Sequence, residues 1–504
     1  MPAAPRFFRL LFVAASVCSL VPALAIANQA ITPTIQASHE GPQCLDRDAR
    51  AGEPKSYCGL LPSLAALNIC EATLEERVRK LKRPWSIEFI DDNTILIGEL
   101  SGRFKLYDVR TNKVTSIKGG PELPPLKGQI GMQDIALPSD FATSGEVFFS
   151  HTTGSDGALA TAISKGILKG KTLTGITQIY VARPAFKTTG NFGGALMFDE
   201  NDLLYAAIGD SARHGQVQKT TTSLGKILRL NRDGSIPKDN PFVGNDQYLP
   251  EIYALGVRNP QGLTQDPETG LIYEAEHGPM GGDEVNLILE GENYGWSTAG
   301  YGMGYTYKQI ARGTSAPGMR DPLFYYMPSR AISPIAVYRG DKFPEFDGDL
   351  LVGALRGRSV SRLDLKDGRI LSESKILWEV DGRVRDIKVA SDGSVWMITD
   401  DGRLLRLDRQ PVDSVRGQNI ATHRGKEIYD LVCASCHTTK VSGAPKLTRP
   451  EQWRARLKKG YDKLYNNTLD GIGGMPPRGL CEDCSDDELR QALDYIVRTV
   501  SESQ

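Results

Sequence analysis

The sequence predicts a mainly β chain, a six-bladed β-propeller followed by a small all-α domain. Three observations predict it. First, one phrase recurs between residues 76 and 410: an apolar run, a turn containing Asp or Gly, then a second apolar run. It is clearest in Trp85 to Ile97, Leu196 to Ile208 and Ile387 to Ile398. Six such units begin near residues 84, 129, 193, 259, 333 and 385. Repeats of this length, each worth about four strands, are the signature of propeller blades. A β-sandwich would not repeat one hairpin phrase over so long a stretch. Second, glycine is abundant, at 52 residues, which suits a chain of many tight turns. Third, from residue 421 the apolar residues fall at helical spacing instead.

Taken in order, residues 1–27 read as a secretory signal. Arg6 and Arg9 supply positive charge, Leu10 to Leu24 is mostly apolar, and Ala25-Ile26-Ala27 is a small-residue cleavage site. The apolar stretch is short for a membrane span, and Val17 is bulky where lipid attachment at Cys18 would want a small residue. No later segment is apolar enough to cross a membrane. Residues 28–75 have no clear periodicity and are expected to form an N-terminal extension. The propeller follows over 76–410, then a polar linker over 411–420 and a helical domain over 421–504.

The helical domain opens with Ile428, Leu431 and Val432 on one side of a helix that runs into Cys433-Ala-Ser-Cys436-His437. C-x-x-C-H is the attachment site of a c-type haem: Cys433 and Cys436 add to the vinyl groups, and His437 ligates the iron. Half a zinc site or a redox dithiol would use the same residues. The export signal, the position at a helix end and a later Met475-Pro-Pro favour haem, with Met475 as second axial ligand. Ser485 to Glu488 forms a capping box, and Leu489, Leu493, Ile496, Val497 and Val500 mark the apolar face of a closing helix. A module with this order of features resembles a class I c-type cytochrome.

Composition excludes some functions. The 504 residues carry a net charge of −1 with 24% charged residues, so no nucleic-acid partner is expected. Cysteine usage suits an oxidising compartment. Cys481 and Cys484 could close a small disulfide. Cys44, Cys58 and Cys70 leave one unpaired within the chain, and the sequence does not say which two pair. Signal and haem together place the protein in the bacterial periplasm.

Across roughly 80–408 the chain resembles the soluble glucose/aldose sugar dehydrogenases that use pyrroloquinoline quinone (PQQ) and calcium. The residues that carry the resemblance are Gly128-Gln129-Ile130-Gly131 and Ile135 to Phe141, then Gly225 to Gly234. Leu255 to Gly262 is the strongest block, and Glu276 to Pro279, Asp283 to Asn286 and Gly291 to Trp296 complete the set. The resemblance implies that Arg258, Arg356, Arg383 and Arg385 face the carboxylates of PQQ, since a tricarboxylate needs fixed cations. It implies that Gln129 and Asn259 touch the cofactor. It also implies that the carbonyls of Gly278 and Pro279 hold a calcium ion, which prefers oxygen donors and would polarise the quinone. A second calcium would sit on the carbonyls of Glu284 and Tyr294.

The chain departs from the family at the base. The family's catalytic His precedes a Gly-Gly-Arg run; here Asn191 takes that place and Ala195 replaces the Arg. An amide has no useful pKa for proton abstraction. A family Lys also appears as Arg356. His277, His214 and His151 are the other histidines that could serve, though for each a structural or surface place is the plainer expectation.

The function expected is a quinohaemoprotein dehydrogenase. A sugar or other alcohol is oxidised at PQQ, and electrons pass through haem c to an external acceptor, another cytochrome or a quinone-linked carrier. The alternative is a propeller that has lost turnover with Asn191 and binds ligand beside a cytochrome relay.

Overall fold

The computed structural model describes residues 72–155, 157–377, 380–409, 428–438, 443–481 and 486–502, together with residues 56, 57, 64, 69 and 484. The signal, Cys44, Cys58, Cys70, the 411–420 linker and Ser485 of the capping box lie outside the described residues.

Six antiparallel sheets make the propeller. Their first strands are Pro84–Asp91, Met132–Ala136, Gly193–Phe198, Pro260–Gln265, Ile332–Val337 and Val384–Val389. These strands contact one another in succession, and the sixth returns to the first, so they form the inner ring. Their starts fall within a few residues of the six repeat positions expected.

The repeated phrase has a physical cause. Asp91, Asp199, Asp266 and Asp392 each accept a hydrogen bond from the backbone N–H two residues on, at 2.8, 2.9, 3.1 and 2.9 Å. An Asp side chain that closes a turn on its own backbone sets the hairpin between the first two strands of a blade. The apolar runs on either side alternate into the packing between blades. Ile87, Ile95, Ile97 and Tyr107 of the first blade pack with Trp396, Ile398 and Leu404 of the sixth. Inner-ring carboxylates also clasp neighbouring blades. Asp134 accepts from the Leu196 N–H and Asp386 from the Ile87 N–H, both at 2.8 Å.

The ring is closed by strand exchange between chain ends. In the sixth blade the outer position belongs to Ala72–Val78, paired with Leu404–Arg409, and Ser56–Tyr57 adds a short strand beyond it. Ala72 to Glu75 are therefore part of the propeller, not of the extension expected over 28–75.

In the C-terminal domain a π-helical turn, Tyr429–Cys433, runs directly into the helix Ala434–His437. Helix Tyr461–Asp470 and the closing helix Asp486–Glu502 follow. Leu489, Leu493, Ile496 and Val500 of the last are buried, as their spacing predicts. Ile496 and Val500 pack with Tyr429 and Trp453, and Leu489 and Leu493 with Leu464 and Tyr465. Cys481 and Cys484 form a disulfide. No helix among the described residues is long and apolar enough to cross a membrane.

Candidate functional site

The loops that lead into the inner strands of the second, third and fourth blades converge on one polar cluster. Asn191 precedes the third blade and adopts a left-handed backbone, φ 58°, a conformation in which Asn is enriched. Its N–H donates to Gln129 Oε1 at 2.7 Å, and its side-chain Nδ2 donates to Asp210 Oδ1 at 2.9 Å. Gln129 and Asn191, 62 residues apart in the sequence, are thus joined directly.

Asp210 is the centre of the cluster, though in the sequence nothing sets it apart from any other Gly-Asp turn. It is fully buried. Oδ1 also accepts from the Ala212 N–H at 2.8 Å. Oδ2 accepts from Trp296 Nε1 at 2.9 Å and from His214 Nδ1 at 2.6 Å. Its own N–H donates to the Arg258 carbonyl at 2.8 Å. Burial acts to raise the carboxyl, but the His214 bond, the Arg258 charge and the Asn191 bond outweigh it and hold Asp210 below the usual carboxylate range.

Arg258 and Asn259 sit at the entry to the fourth blade, both buried. Their backbone N–H groups donate to Glu276. The Arg258 guanidinium donates to the His277 carbonyl and lies over the Trp296 ring, 5.4 Å from its centre. Arg258 Nε and Asn259 Nδ2 are nonetheless buried with no hydrogen-bond partner among the described residues. Unsatisfied buried donors are costly, so two of them side by side call for an acceptor-rich ligand. A tricarboxylate quinone fits that requirement.

The other expected cations differ from one another. Arg385 is buried, stacks over Trp85 at 3.9 Å and grips Asp400 through Nε and Nη2, at 2.5 and 3.0 Å. Arg383 is partly exposed and donates to the same carboxylate at 2.9 Å. Asp400 lies in an ordinary-looking Asp-Asp-Gly turn, and nothing local marks it as the partner of two site arginines. Arg356 is exposed after the second strand of the fifth blade.

The Gly278-Pro279 turn is held by Asp283, which accepts from the Gly278 N–H at 2.9 Å, Ser329 Oγ at 2.7 Å and the Arg330 N–H at 2.7 Å. Among the described residues no hydrogen bond ends on the carbonyl of Gly278 or Pro279, which leaves both as hard oxygen donors. Glu284 is buried in the strand Asp283–Ile288. Tyr294 follows that strand, its phenol bonded to the Leu287 carbonyl and the Leu289 N–H.

The three spare histidines separate cleanly. His151 is buried in the second blade, bonded to the Thr152 carbonyl and to Ser164 Oγ at 3.2 and 2.9 Å. His277 is pushed down to about 3 by burial and by Arg258, Arg385 and Arg383. His214 alone among them pairs with a carboxylate, that of Asp210.

In the C-terminal domain His437 Nδ1 donates to the Pro445 carbonyl at 2.7 Å, and its ring stacks on Trp453. A bond that fixes Nδ1–H leaves Nε2 free for a metal. Cys433 and Cys436 are half-buried and lie outside the disulfide. Met475 is half-buried in a turn in which it and Ile472 exchange backbone hydrogen bonds at 3.0 Å.

Fold and site together define a sugar-dehydrogenase propeller joined to a cytochrome c domain. The chain belongs to the Glucose / Sorbosone dehydrogenase family, whose model matches residues 81–406. A second model, described as Cytochrome C oxidase, cbb3-type, subunit III, matches residues 421–496. The aldose sugar dehydrogenase YliI of Escherichia coli is 33% identical over 336 residues, 65% of this chain and 90% of that protein. Cytochrome c5 of Azotobacter vinelandii is 41% identical over 71 residues, 14% of this chain and 86% of the cytochrome. Among solved structures, the PQQ-bound form of an aldose sugar dehydrogenase from Streptomyces coelicolor superposes with a TM-score of 0.57 at 26% identity, covering 67% of this chain and 98% of the other.

Proposed function

We propose that the protein is a periplasmic quinohaemoprotein dehydrogenase that oxidises a sugar or another alcohol with PQQ and calcium and relays the electrons through haem c. The unpaired buried donors of Arg258 and Asn259 carry the reading, because they suit a polyanionic, acceptor-rich cofactor. Gln129, Arg258, Asn259, Arg383 and Arg385 would hold PQQ, with Arg356 at the rim. The carbonyls of Gly278 and Pro279 would hold the calcium beside it, and those of Glu284 and Tyr294 a structural calcium. Bound PQQ supplies a two-electron acceptor for hydride.

The chain's own residues bind and orient. Arg258 presents a fixed charge in a site closed by Trp296, so the attraction is screened less than it would be in water. Asn191 and Gln129 hold each other, which keeps the floor of the site in one geometry. Cys433 and Cys436 would fix the haem, with His437 and Met475 as axial ligands. Joining the two modules in one chain raises the effective concentration of electron acceptor at the donor. The haem would then pass electrons to another cytochrome or a quinone-linked carrier.

The test is direct. The exported protein is loaded with PQQ and calcium, offered a panel of aldoses and alcohols, and followed by the absorption of reduced haem. PQQ-dependent haem reduction is expected with at least one substrate. A second reading has one observation behind it: Asn191, at the family's base position, is an amide spent on Asp210. If PQQ binds but no substrate reduces the haem, the propeller is a binding module beside a redox relay.

A further inference from the structure

We propose that His214 is the base that takes the substrate's hydroxyl proton, oriented by Asp210; this rests on the dehydrogenase reading above. The geometry points to it from three sides. The Asp210 carboxylate bridges the vacated base position and His214, with Asn191 Nδ2 on Oδ1 at 2.9 Å and His214 Nδ1 on Oδ2 at 2.6 Å. A carboxylate that is ionised can only accept, so Nδ1 carries the proton and Nε2 carries the lone pair. Nε2 has no hydrogen-bond partner among the described residues, and the His214 side chain is 36% exposed. It is free to meet a substrate.

The backbone is bent to make this contact. Ser211 and Ala212 are consecutive non-glycine residues in the left-handed region, φ 49° and 56°. They fold the chain back, so that the short 3-10 turn His214–Gln216 returns residue 214 to the carboxylate four positions earlier. Such conformations persist where surrounding structure over-determines them, as at functional sites. The ring is further held edge-on to Trp296, 5.2 Å between centres, and Trp296 donates to the same Asp210 oxygen.

The step balances. The substrate O–H proton passes to His214 Nε2, the carbon-bound hydrogen leaves with its electron pair to the quinone, and the C–O bond becomes C=O. The imidazolium is stabilised by Asp210 and returns its proton to water at its exposed edge. The charged groups around it are Asp210 on its own loop, Arg258 packed over Trp296, and Arg213, whose guanidinium lies over Phe186 and donates to the Lys187 carbonyl.

Two measurements test this. In the full-length protein with reduced haem, nitrogen-15 histidine spectra are expected to show an imidazole protonated at Nδ1 whose signal is missing from His214→Gln. A His214 protonated at Nε2 overturns the proposal. In PQQ-loaded protein, His214→Gln is expected to bind PQQ as the wild type does, to lose ~100- to 10,000-fold in kcat, the usual worth of a positioned base, and to lose the acid limb of the pH–rate profile. Adding Asn191→His to that variant is expected to restore part of the rate. A His214→Gln rate within threefold of wild type, with PQQ bound, overturns the base assignment alone. Wild-type protein that binds no PQQ overturns the dehydrogenase reading and the base with it.

Discussion

Arg258 is buried at the entry to the fourth blade, with its guanidinium over the Trp296 ring. Its charge and its place in Leu255 to Gly262 mark it in the sequence, and its Nε has no hydrogen-bond partner among the described residues. Its value should lie in the planar fork, not in charge alone. Arg258→Lys keeps the charge and loses the fork, and is expected to weaken PQQ binding by ~10-fold or more, read by quenching of tryptophan fluorescence in a PQQ titration. The residues that sequence reasoning misses are carboxylates whose partners meet them only once the strands have paired and the blades have packed. Asp210 matters through Trp296, and Asp400 through Arg383 and Arg385. The one local signal was His214 four residues after Asp210, a spacing at which two side chains on a turn can meet.

Elements were legible where their cause is local. The Asp-closed hairpins repeat because each Asp bonds its own backbone, so the first, third, fourth and sixth inner strands could be placed from their turns. Ala72–Val78 could not, because the ladder that ties it into the ring is with Leu404–Arg409, at the other end of the propeller sequence, and nothing nearby announces the pairing. Leu74 on this strand is buried against the sixth blade's core. Leu74→Ala is expected to cost about 2–5 kcal/mol, seen as a lower melting temperature of the propeller.

The third strand of the third blade offers a pH test. Lys226 is fully buried, its Nζ on the carbonyls of Val217 and Leu224 at 2.6 and 2.8 Å. Burial pushes it down to about 7, whereas in the unfolded chain it holds its proton to about 10.5. Between those values the unfolded state binds more protons, so stability rises with pH. In urea unfolding, the wild-type advantage over Lys226→Met is expected to grow between pH 7 and pH 9.5.

For the molecule as a whole, the two-module plan was plain in the sequence, since a period-two pattern gives way to a helical one after the linker. The modules should be separable in function. Cys433→Ser with Cys436→Ser removes both thioether sites. That variant is expected to purify without covalent haem, yet to reduce a soluble dye with substrate at a rate near that of the wild type. Loss of both activities would instead tie the propeller's turnover to the haem domain.

The strand exchange in the sixth blade imposes an order on synthesis. Apart from the short Ser56–Tyr57, Ala72–Val78 leaves the ribosome before any other described strand of the ring, and its partner Leu404–Arg409 is the last of the ring to follow, after five blades are made. The propeller therefore cannot be finished by adding blades one at a time. Its final event ties one of the first-made strands of the ring to the last-made. A chain stalled before residue 404 keeps an open sheet edge, which is a template for association with its neighbours.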